Sequence, residues 1–85
     1  MIRISLVGSA ARLWRRTVRT EEPLASALPW AWARLAEMRA TWSRVPGRQG
    51  SRFVDFVALP DGGVLCIACS VAAADHLLVQ EFRVF

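Results

Sequence analysis

The sequence predicts an α+β fold: a small two-layer domain of order β-α-α-β-β-(β), with an antiparallel sheet packed on two helices. Three observations carry this reading. Two apolar runs within Arg52 to Val71 are joined at Pro60-Asp61-Gly62-Gly63, the signature of a hairpin. Apolar residues before it recur at steps of three and four. At both ends of the chain they alternate with polar ones, as in half-buried strands.

In chain order, Ile2, Ile4 and Leu6 alternate with Arg3 and Ser5 in a short first strand that Gly8 ends. Ser9 is a good N-cap for a helix running to about Arg19. Its polar side is the stripe Arg12, Arg15, Arg16 and Arg19, opposite Ala10, Leu13, Trp14, Thr17 and Val18. A second helix starts near Thr20 or Glu21, where acidic residues suit the positive end of the helix dipole. Its apolar stripe is Leu24, Leu28, Trp32, Leu35, Met38, Trp42 and Val45. Pro29 either kinks this helix or divides it, and Pro46-Gly47 ends it before the basic loop 48–52. After the hairpin, the alanine-rich Val71 to His76 suits a helical turn. From Leu78 onward, period-two alternation and strand formers favour a last strand over a helix from Val71 to Phe82.

The hairpin also predicts a pair of sheet faces. With Asp61 and Gly62 at the tip, Leu59 pairs with Val64, Val57 with Cys66, Asp55 with Ala68 and Phe53 with Ser70. Val54, Phe56 and Ala58 then join Leu65, Ile67 and Cys69 on a core face. The opposite face carries Phe53, Asp55, Val57, Leu59, Val64 and Cys66, too apolar to stay wet. A one-residue slip would exchange these faces.

At 85 residues the chain is expected to form one domain, 1–85, with a thin core. The hydrophobic fraction of 54% and mean hydropathy of +0.30 exclude a disordered polar chain. The longest uncharged run, Gly62 to Ala74, is too short for a spanning helix, and the N-terminal pattern is not a secretory signal, so a cytoplasmic location is expected. All 11 basic residues are arginine, and lysine, tyrosine and asparagine are absent. Those three residue types have AT-rich codons, so a GC-rich gene accounts for the bias without a functional cause. Residues 1–52 hold ten arginines against three glutamates, net +7, and residues 53–85 one arginine against four acids, net −3. One side of the molecule is therefore expected to be electropositive.

Motifs that would define an enzyme or a cofactor site are missing. Cys66 and Cys69 lie three apart in a predicted strand, so their sulfurs point to opposite faces and read as buried thiols rather than as a metal or redox pair. His76, the lone histidine, reads as a surface or turn residue. The glycines match neither a Rossmann nor a P-loop spacing, and no cofactor or metal is indicated. Trp30 lies off the apolar stripe one turn from Arg34, a pairing suited to an exposed binding anchor.

The order of elements, two helices before a hairpin in a basic chain, is similar to that of the RelE/ParE toxin superfamily. The resemblance covers arrangement only; it implies a nucleic-acid-directed toxin, but the chain has no Lys or Tyr for the acid–base roles of the ribonuclease members.

Together these readings predict a protein-interaction module without a catalytic site: an accessory subunit or inhibitor of a larger protein, or a homo-oligomer. Its binding residues would be Phe53, Asp55, Val57, Leu59 and Val64, with Trp30 and Arg34. The alternative is a nucleic-acid-binding or toxin-like protein using Arg12, Arg15, Arg16, Arg19, Arg48 and Arg52.

Overall fold

The computed structural model describes residues 1–14 and 22–85. It is an α+β fold of β1 (Arg3–Leu6), α1 (Gly8–Trp14), α2 (Glu22–Thr41), β2 (Arg52–Ala58), β3 (Val64–Ala73) and β4 (His76–Val84). The four strands form one sheet in the order β1-β4-β3-β2. It is mixed rather than purely antiparallel: β2, β3 and β4 form an antiparallel meander, and β1 runs parallel to β4.

Both helices pack on one face of the sheet. Ile2, Ala10, Ala27, Ala31, Leu35 and Met38 meet Leu65, Ile67, Cys69, Val71, Leu77, Val79 and Phe82 in a single buried cluster. Ala27 and Ala31 bracket Pro29 and are fully buried, so small side chains let α2 approach the strands closely. Pro29 is exposed and does not divide the helix, although it removes one hydrogen bond from the α2 ladder. The predicted stripe continues past the end of the helix. Val45 is fully buried beyond Thr41, and its N–H donates to the Ala74 carbonyl at 2.8 Å.

Several local expectations are revised. Helix α1 begins at Gly8, and the Ser9 hydroxyl donates to the Gln80 carbonyl at 3.1 Å, tying α1 to β4. The stretch expected as a helical turn, Val71 to His76, instead continues β3 to Ala73 and turns directly into β4. The alternation expected from Leu78 is interrupted: Ala68 pairs with Glu81 but Cys69 with Val79, leaving Gln80 as an extra bulged residue. Leu77 and Val79 therefore face the core before the bulge, and Phe82 after it.

The hairpin register differs from the expected one by a single residue. Leu59 N–H donates to the Gly63 carbonyl at 2.9 Å, and Gly62 N–H to the Leu59 carbonyl at 3.1 Å. Pro60, Asp61 and Gly62 thus form a three-residue loop, with Gly62 at φ 88° as the bulge residue and Gly63 closing the ladder opposite Leu59. Asp61 Oδ1 accepts from Gly63 N–H at 2.9 Å and braces the turn. The pairing becomes Ala58 with Val64, Phe56 with Cys66, Val54 with Ala68 and Phe53 with Cys69. Every side chain of β2 is on the face opposite to that expected.

Candidate functional site

Phe53, Asp55 and Val57 share the face of Leu65, Ile67 and Cys69, toward the helices. Phe53, Val57 and Leu59 are half-buried against the core, and the Phe53 ring lies 6.4 Å from that of Trp42. The expectation that these residues form an uncovered face is therefore overturned, because α2 lies over them. Val64, paired with Ala58, remains on the outer face.

Asp55 is tolerated inside because α2 supplies a cation directly above it. Arg34 Nε donates to Asp55 Oδ2 at 2.7 Å and Nη2 to Oδ1 at 3.0 Å, a bidentate pair. The side chains are only 24% and 17% exposed. Arg34 Nη1 also lies 3.4 Å from Glu37 Oε1, and the guanidinium sits 5.7 Å from the centre of the Trp42 ring. The hydrogen bond to Asp55 raises the Arg34 pKa further above its ordinary value, so the cation is permanent. Arg34 thus stacks on Trp42 in the interlayer space. Trp30, whose expected stacking partner it was, is 44% exposed elsewhere on α2.

The face turned away from the helices carries the exposed apolar side chains of β2. Phe56 is 67% exposed and Val54 48% exposed, and Ala58, Val64 and Ala68 extend the apolar area. Cys66 lies between Phe56 on one side and Arg83 on the other, and its own side chain is buried by them. Arg83 is held along its strand by Glu81, Nε to Oε1 at 2.8 Å. Charge therefore rims an apolar centre, with Arg52 exposed at the loop end of β2.

Near β1 the same face carries a contact that sequence spacing concealed: Ser5 Oγ and His76 Nε2 lie 2.8 Å apart. Parallel pairing of β1 with β4 creates it, and nothing local in the sequence announces that pairing. His76 has no carboxylate partner among the described residues, since Asp75 faces Arg3 at 4.0 Å, so the contact lacks the third group that would orient a catalytic base. Its effect is to pin the edge strand to its neighbour. The two cysteines are free and buried on opposite faces of β3. Burial, with a smaller contribution from Asp55, pushes the Cys69 thiol up to about 12. Among the described residues no group of three or more His, Cys, Asp or Glu could hold a metal, and no helix is long and apolar enough to cross a membrane.

Of the arginines in the nucleic-acid reading, Arg12, Arg48 and Arg52 are exposed, whereas Arg15, Arg16 and Arg19 lie outside the described residues. No protein-family model, curated protein or solved structure matches the chain significantly. The similarity in element order to the RelE/ParE superfamily accordingly has no matching structure behind it.

Proposed function

We propose that this chain is a protein-interaction module that docks the open face of its sheet on an apolar surface, either of a second copy or of a larger protein it accompanies or inhibits. The observation that supports this reading is the exposed pair Val54 and Phe56 in the middle of that face, beside half-covered small residues and inside a charged rim. Burying the two-thirds of Phe56 that is exposed is worth about 1–2 kcal/mol at a contact, from the usual value for a whole phenylalanine side chain. Phe56→Arg should therefore weaken association roughly tenfold or more while leaving the unfolding midpoint nearly unchanged. Sedimentation equilibrium and native co-purification test this together. A wild-type protein that stays monomeric at high concentration and retains no partner would remove the basis for the reading.

A second reading is supported by Arg48 and Arg52, which are exposed and have no ion-pair partner among the described residues. With Phe56 as a stacking surface, they suit a single nucleic-acid strand. That reading requires binding that falls steeply with salt and drops again in Arg48→Glu/Arg52→Glu. An oligonucleotide that fails to bind at low ionic strength excludes it.

A further inference from the structure

The other side of the sheet offers a distinct site at its β1 edge. A cleft of about 500 Å³ opens between β1 and the helices, lined by Ile4 and Leu6 from β1 and by Trp32, Leu35 and Ala36 from α2, with Arg39 as its one charged lining group among the described residues. Its volume falls within the range of ligand pockets, which runs from roughly 300 to 1,000 Å³. Ser5 also borders it, although the Ser5 hydroxyl is engaged with His76 on the opposite face. With its hydroxyl turned away, Ser5 meets the cleft through its backbone, so the cleft reaches the main chain of β1 between Ile4 and Leu6.

The hydrogen bonds along β1 show which backbone groups are open. Arg3 N–H donates to the Asp75 carbonyl at 2.6 Å and Val7 N–H to the Val79 carbonyl at 2.9 Å, so alternation turns the Ile4 and Leu6 N–H and C=O groups away from β4. β1 is the terminal strand of the sheet, and no other described strand pairs with that side. Arg39 is exposed and has no ion-pair partner among the described residues.

We propose that the β1 edge and this cleft bind an extended acidic peptide segment of a partner protein, which adds a strand beside Ile4 and Leu6, places one large apolar side chain in the cleft and sets a carboxylate on Arg39. Main-chain pairing supplies affinity, and the cleft with Arg39 at its border supplies selectivity. An acidic occupant is favoured because Arg39 borders the cleft as a cation without a carboxylate partner among the described residues, and a carboxylate complements it where a basic side chain would be repelled. The site does not involve Val54 or Phe56 and stands or falls separately from the open-face reading.

Selection from a displayed library of random short peptides against the full chain tests it. The expected consensus is a leucine or phenylalanine flanked by aspartate or glutamate. N-methylation of the peptide amides that face β1 should lower affinity about tenfold, roughly one net hydrogen bond, while N-methylation of the intervening amides leaves it within about twofold. Arg39→Glu should weaken binding about fivefold or more, and Ala36→Trp should block the cleft; both positions are exposed, so circular dichroism should confirm an intact fold. Bound peptide should slow amide exchange at Ile4 and Leu6, and Phe56→Arg should leave its affinity unchanged. The proposal is overturned by a selection without enrichment, by affinity indifferent to the N-methylation pattern or to Arg39→Glu, or by dodecanoate binding the cleft when no peptide does.

Discussion

Removing the carboxylate beneath Arg34 is the most direct probe of how the layers hold together. In Asp55→Ala the guanidinium loses both short hydrogen bonds, of 2.7 and 3.0 Å, in a site where only 24% of its side chain reaches water. Stranding one partner of a fully buried pair costs roughly 3–5 kcal/mol. Arg34 keeps Glu37 at 3.4 Å, the Trp42 ring and some solvent, so the expected loss is smaller, about 2 kcal/mol. With an m-value near 1 kcal/mol/M for a chain of this size, the urea midpoint should fall by about 2 M, followed by tryptophan emission. The double substitution Arg34→Met/Asp55→Val removes both charges and fills the space with apolar groups. It should lie within about 1 kcal/mol of the parent, so that with each single substitution costing about 2 kcal/mol the cycle gives a coupling of about 3 kcal/mol. A midpoint shift below about 0.5 M in Asp55→Ala, or a double variant that loses the sum of the two single effects, would refute this account.

Two further outcomes follow from local chemistry. Pro29→Ala restores an N–H inside α2 at an exposed position and should raise stability by about 1–3 kcal/mol, read as a higher melting temperature. Because the folded state holds the Cys69 proton up to about pH 12, against 9.0 for an ordinary thiol, the unfolded chain releases it first as pH rises. The thiol therefore leaves stability unchanged below about pH 9, and its stabilising effect declines by about 1.4 kcal/mol per pH unit above that; urea titrations at pH 8, 10 and 11 should lose this component in Cys69→Ala.

The elements were legible in the sequence because local chemistry specifies them. Turn residues located the hairpin, the three-and-four spacing located α2, and strand formers located β4. The faces of β2 were harder to read. Pro60-Asp61-Gly62-Gly63 supports a loop of either parity, and Gly62 in the left-handed region, which settles the matter, is a conformation rather than a residue pattern. A polar Asp55 points outward on any hydrophobicity argument; only Arg34, 21 positions earlier and on another element, reverses that. The parallel pairing of β1 with β4, and with it the Ser5–His76 contact and the cleft, depends on strand order, which periodicity does not encode. An apolar outer face was anticipated, but with Phe53, Val57 and Leu59 where the structure presents Val54 and Phe56.

The Arg34–Asp55 pair also bears on uniqueness as distinct from strength. Phe53 and Val57 on one side of β2 and Val54 and Phe56 on the other are close to interchangeable as greasy surfaces, so hydrophobic burial alone leaves two threadings of the hairpin nearly degenerate. A slip by one residue would expose Asp55 and leave Arg34 with no carboxylate but Glu37, so the ion pair penalises one threading and spares the other. Its expected contribution is thus discrimination, a polar key in an otherwise ambiguous lock. The charge-free double variant is the place to look for it: comparable in stability, but with duplicate amide resonances across residues 53–58 wherever both threadings are populated.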